Sequence, residues 1–222
     1  MKIFITLIIL GIMTQGFSQE EISYLALGDS YTIGEQVDEN QSWPFQLTAY
    51  LNTNNYNVKE PEIIAVTGWR TDELQDSISI KNYQSNQFDL VSLLIGVNNQ
   101  YQKKPFKQFK IEFEDLLKSA INLCSQQAKG VFVVGIPDYS LSKFAQEEQL
   151  KRVSSRLKRY NRYIFKMCQR HGVAFYPLQD LSKPLHKQEL MLAKDQLHPS
   201  GLQYKVWVDS FKEKVEKQLD SF

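Results

Sequence analysis

Beyond residue 20, short apolar runs alternate with longer stretches whose apolar positions recur every three or four residues. Residues 22–27, 63–66, 90–95, 131–136 and 173–176 read as strands. Most of these runs are almost continuously apolar, which suits strands of a parallel sheet covered on both faces. Between them lie amphipathic helices. Phe109, Phe113, Leu116, Leu117, Ala120, Ile121 and Cys124 trace one apolar face, and Leu150, Val153, Leu157, Tyr160, Ile164 and Met167 trace a second. A last helix follows Pro199, with Tyr204, Trp207, Val208, Phe211, Val215 and Leu219 on one side. The Lys and Arg residues between 151 and 170 fall on the opposite face of their helix, where solvated charge is expected. Residues 78–87, 100–106 and 138–146 show neither period and read as the longer irregular segments. This alternation predicts an α/β fold with a doubly wound parallel sheet and right-handed crossovers. In such a sheet ligands bind beyond the carboxyl ends of the strands.

The first eighteen residues follow another logic. Lys2 supplies a positive start, residues 3–13 an apolar run, and Gly16-Phe17-Ser18 small residues suited to a cleavage site. The apolar run is too short to cross a bilayer, so the pattern predicts a cleaved export signal rather than a stable membrane span. No cysteine follows it directly, which argues against a lipid anchor. The expectation is a secreted or periplasmic protein with one domain over residues 19–222. Export permits a disulfide between Cys124 and Cys168. Both cysteines lie on apolar helix stripes, however, and the preferred reading is two buried free thiols.

Charge changes the picture only by exclusion. Lys and Arg number 26 against 25 Asp and Glu, so no overall basic footprint points to nucleic acid. A small or uncharged substrate is expected.

Chemistry gathers at the predicted strand ends. The first ends in Gly28-Asp29-Ser30, the second in Thr67-Gly68-Trp69-Arg70 and the third in Gly96-Val97-Asn98-Asn99. Asp195-Gln196-Leu197-His198 precedes the last helix. A serine hydroxyl becomes a useful nucleophile when a neighbouring base takes its proton. His198 suits that task because imidazole titrates near neutral pH. Asp195, three residues earlier, is placed to orient the imidazole and stabilise its cation. Backbone N–H groups of Ser30 and Gly68 and the side-chain amide of Asn98 suit an oxyanion site. Taken alone, each piece has a plainer use: Ser30 as a helix cap, Gly68 and Asn98 as turn residues, His198 as a helix-start residue.

As an ordered set, residues 26–34, 66–74, 95–99 and 195–199 resemble the four blocks of the SGNH, or GDSL, hydrolase family. The resemblance implies a flavodoxin-like three-layer α/β/α sandwich around a central five-stranded parallel sheet. It further implies a serine esterase with Ser30 as nucleophile, His198 as base, Asp195 as its orienting acid, and Ser30, Gly68 and Asn98 as oxyanion donors. Asn99 departs from the family's frequent Gly-x-Asn-Asp block, while Asn98 is kept. Residues 135–140 resemble a lysophospholipase-like branch, which favours a general or lipid esterase over a carbohydrate O-acetylesterase. A catalytically silent carbohydrate-binding domain is the rival reading from another class.

Tyr31, Trp69 and Tyr101 are candidate walls of a substrate pocket. Asp138 reads as a loop cap, and His171 and His186 as surface residues. The three histidines show no metal-ligand spacing, and no Gly-x-Gly-x-x-Gly follows the first strand. Neither metal nor cofactor is expected.

Overall fold

Five apolar runs pair side by side in a computed structural model that describes residues 21–222; the expected export signal lies outside the described residues. In chain order the elements are β1 (Tyr24–Gly28), α1 (Ser30–Ile33), α2 (Trp43–Thr53), β2 (Glu62–Ala65), α3 (Thr71–Lys81), β3 (Leu90–Leu94) and α4 (Val97–Tyr101). They continue with α5 (Phe106–Leu123), β4 (Val131–Val134), α6 (Lys143–Glu147), α7 (Val153–His171), β5 (Ala174–Tyr176), α8 (Gln179–Leu185) and α9 (Gly201–Leu219). All strand pairs are parallel, in the order β2-β1-β3-β4-β5. This is the flavodoxin-like order, whose crevice opens where the winding reverses, between β1 and β3.

The strands follow from their composition. Every residue of β1, β3 and β4 is buried, as expected where helices cover both faces. The edge strand β2 is only partly covered. On one face α2 packs against α9, and on the other α3, α5 and α7 lie in a row. Phe132 of β4 meets Trp43 of α2 and Phe211 of α9, each with ring centroids 6.2 Å apart. On the other face Phe109 of α5 packs against Tyr160 of α7 at 4.3 Å. Such contacts set the layer spacing and add to burial of apolar area.

Among the helices that escape a reading of periodicity, the two longest have eleven residues each. α2 follows Ser42, whose side chain makes no capping bond, and carries Pro44 in its first turn. α3 has only Thr71, Leu74 and Ile78 buried, while Ile80 is exposed. Residues 78–81, expected to be irregular, therefore finish α3, and the 138–146 segment holds the start of α6. Ile22 is not in β1 but makes an isolated bridge to Val58. Cys124 and Cys168 are buried free thiols, pushed by burial up to about 11 and about 12.

Candidate active site

The turn after β1 is fixed by two small residues and a carboxyl group. A Cβ on Gly28 would lie 2.0 Å from Thr32 Oγ1 and 2.6 Å from the Leu94 carbonyl, so only glycine lets the turn close against β3. Asp29 caps α1, its Oδ1 accepting from the Tyr31 N–H at 3.1 Å. Its Oδ2 is buried without a partner among the described residues. Burial pushes this carboxyl up to about 7, against the lowering effect of the Tyr31 hydrogen bond. The arrangement presents Ser30 as the first residue of α1, with an Oγ that bonds no other side chain or backbone group among the described residues.

The second and third strand ends are tied together. Gly68 has φ +85°, a left-handed conformation that disfavours any residue with a Cβ. Its carbonyl accepts from Gln102 Nε2 at 3.2 Å, and Gln102 in turn accepts from Arg70 at 2.9 Å. Asn98, on α4, donates from Nδ2 to the Trp69 carbonyl at 2.9 Å. That bond uses one of the two amide protons and leaves the other for a ligand. The loop after β1 joins the same set, because the Glu35 carboxylate accepts from the Thr67 hydroxyl.

Asn99 has its own explanation. It is buried, its Oδ1 accepts from the Thr71 N–H at 3.1 Å, and its Nδ2 donates to Thr71 Oγ1 at 2.7 Å. The Thr71 hydroxyl spends its single proton on Glu112. A carboxylate at position 99 has no proton to offer Thr71, so the amide is the side chain that satisfies this chain of bonds.

Residues 195–198 form a tight turn with Gln196 at φ +59°. Asp195 Oδ1 accepts from the N–H groups of Leu197 and His198, both at 3.0 Å, and Oδ2 lies 2.5 Å from His198 Nδ1. Partial burial pushes the Asp195 carboxyl up, but the bonds from His198 and Leu197 outweigh it and hold it below the usual range. The carboxylate therefore stays ionised beside the imidazole. The His198 ring meets the buried Tyr31 edge-on at 5.8 Å.

These four segments enclose one cavity of about 160 Å³, lined by Ser30, Tyr31, Thr67, Gly68, Val97, Asn98, Tyr101, Tyr139, Phe144, Leu197 and His198. The expected pocket residues Tyr31 and Tyr101 are on its wall. Trp69 is not: its ring packs against the core, and its carbonyl holds Asn98. Tyr139 and Phe144 enter from the 138–146 segment, where no periodicity marked them. Phe144 packs against Tyr101 at 6.0 Å.

Asp138 caps its loop as expected, accepting from the Ser140 N–H at 3.0 Å. The expectation of surface histidines needs correction. His186 is buried, with Nδ1 2.9 Å from the Ser182 carbonyl, and burial lowers its pKa against that bond. His171 is half-buried beside Glu114, 3.4 Å away. Each sits on a helix end that packs inward, which a count of surface polar residues does not register.

Residues 26–206 match the model of the GDSL-like lipase/acylhydrolase family. The chain belongs to that family. It is accordingly a carboxylic-ester hydrolase. No curated protein matches it in sequence. Among solved structures it is similar to TesA, with TM-score 0.68 and 13% identity over 88% of this chain and 99% of that one. It is also similar to the psychrotrophic esterase EstA from Pseudoalteromonas sp., solved in a form inhibited by monoethylphosphonate. There the TM-score is 0.65 and the identity 14%, over 90% and 99% of the two chains. Axe2, an acetylxylan esterase from Geobacillus stearothermophilus, aligns with TM-score 0.64 and 15% identity over 87% and 94%. At these identities the likeness is one of fold.

Proposed function

We propose that the protein is an exported esterase for short acyl groups, acting through an acyl-Ser30 intermediate. The observation that carries this reading is the shared cavity. Ser30 and His198 both line it, Asp195 holds the far imidazole nitrogen, and Gly68 and Asn98 border the same space. In the acylation step Ser30 Oγ bonds to the ester carbonyl carbon while its proton passes to His198 Nε2. The negative carbonyl oxygen is then met by the N–H groups of Ser30 and Gly68 and by the second amide proton of Asn98. Collapse breaks the bond to the alcohol oxygen, which takes the proton from His198. Water, deprotonated by His198, repeats the sequence and releases the acid with Ser30 restored.

The cavity's size supports the acyl preference. At about 160 Å³ it is well below the roughly 300–1,000 Å³ of drug-sized ligand sites, and its walls are mainly apolar. EstA, inhibited by the small monoethylphosphonate, and Axe2, named an acetylxylan esterase, agree with a preference for small groups. A series of p-nitrophenyl esters from acetyl to decanoyl is the test. Turnover is expected to peak between acetyl and butyryl and to fall steeply beyond hexanoyl. A rise through octanoyl and decanoyl would favour the long-chain lipid reading instead.

The export half of the proposal rests on Lys2, the apolar run at 3–13 and the small residues at 16–18. An exported chain whose mass begins at Gln19 is its expected signature, and a retained residue 1 contradicts it.

A further inference from the structure

We propose that the natural ester carries an anionic group, held in a second groove that shares Tyr101 and Tyr139 with the Ser30 cavity. The inference rests on the esterase reading and narrows its substrate class. The groove, of about 290 Å³, is lined by three cations, Lys103, Lys151 and Arg156, and by one carboxylate, Glu148. None of the four forms an ion pair among the described residues. The chain as a whole is nearly neutral, so this excess is a local feature rather than a share of general basicity.

A largely buried amide side chain lines the same groove. Gln100 is only 4% exposed. Its Oε1 accepts from the Tyr139 hydroxyl at 3.0 Å, which ties this groove-lining side chain to a tyrosine that borders both spaces. The amide nitrogen donates to no other group among the described residues and is not cut off from solvent, so its protons are free for a ligand.

The start of α7 adds to the same field. Its first residue, Val153, lies on the groove. The first turn holds no acidic residue, and no side chain caps it. Helix starts favour negative charge, yet here Lys151 and Arg156 are placed around one. The arrangement favours a carboxylate or phosphate over a neutral group. Tyr101 and Tyr139 border both spaces, and a substrate lying across them sets its ester at Ser30 and its anion among the cations. The anion can belong to the acyl tail or to the alcohol, and the chemistry that recognises it is the same.

Two matched pairs of esters distinguish these sources. The mono-p-nitrophenyl ester of adipic acid against p-nitrophenyl hexanoate places the charge on the acyl side. Acetylated glycerol 3-phosphate against acetylated glycerol places it on the alcohol side. The readout is the ratio of kcat/KM, anionic over neutral, in wild type and in Lys103→Gln/Lys151→Gln/Arg156→Gln. All three positions are exposed, so the variant is expected to fold, and matching circular dichroism and Tm confirm it. In at least one pair the ratio is expected to fall about tenfold in the variant, and to fall in wild type as salt is raised. Unchanged ratios in both pairs, with neutral esters still turned over, overturn the anionic subsite and leave the esterase reading intact. A wild-type protein that hydrolyses none of the four esters overturns both.

Discussion

Asp29 sits between the nucleophile's backbone and the core with one oxygen bonded and the other buried alone. A carboxyl there is more comfortable protonated, and burial raises it to about 7 against an ordinary 3.8 in the unfolded chain. Between those values the folded protein holds a proton that the unfolded chain has lost, so stability must fall as pH rises. The loss is complete above about pH 7 and is of the order of 4 kcal/mol for a shift this size. His186 works in the opposite direction, because burial lowers its pKa and its contribution is lost on acidification. A comparison of proteins is therefore needed rather than one slope. Urea unfolding at pH 5 and pH 8 is expected to show a clear drop for wild type and a much smaller one for Asp29→Asn. Equal drops would place the titration elsewhere. Asn99 makes the complementary point about single residues. Its amide was legible as a departure from a familiar block, but its reason, the bonds to Thr71, needed the third dimension.

Elements carry these residues to one place, and side chains between elements hold them there. Asn161, on α7, accepts from the Ile136 N–H and donates to the Ile136 carbonyl, both at 2.8 Å. This pins the end of β4 to the helix just before Tyr139, which lines both grooves. Asn161→Ala leaves two buried backbone groups unpaired and is expected to cost about 2–4 kcal/mol in urea unfolding. A change under about 0.5 kcal/mol would show that this end of β4 is held by packing alone. Asn161 lies within the second apolar stripe read from the sequence, yet periodicity treats a lone asparagine there as noise. The same limit hid α2 and α3. Their apolar faces are narrow or interrupted, and tertiary contacts rather than pattern decide them. The long helices α5, α7 and α9 were legible because their stripes are wide and regular.

At the scale of the molecule, five apolar runs and the alternation between them determined the fold class, and the sheet order follows the winding rule for such a chain. Ser30, Gly68, Asn98 and the Asp195–His198 pair were readable because each falls at a strand end or just before the last helix. Tyr139, Phe144 and Gln100 were not, since the loops that bring them in follow no period. Overall neutrality likewise concealed the cations beside Tyr101 and Tyr139, because a net charge averages over positions that the fold separates. It led to the expectation of a small or uncharged substrate, which the proposed subsite narrows to a small ester that carries an anion.

The central claim is that Ser30 is the acylated residue, and intact-protein mass spectrometry after reaction with a fluorophosphonate tests it most directly. Peptide mapping locates the adduct, and p-nitrophenyl acetate turnover is followed in the same sample. A single adduct on Ser30, lost in Ser30→Ala together with nearly all turnover, is the expected result. An adduct on another residue, or turnover retained in purified Ser30→Ala, would contradict it.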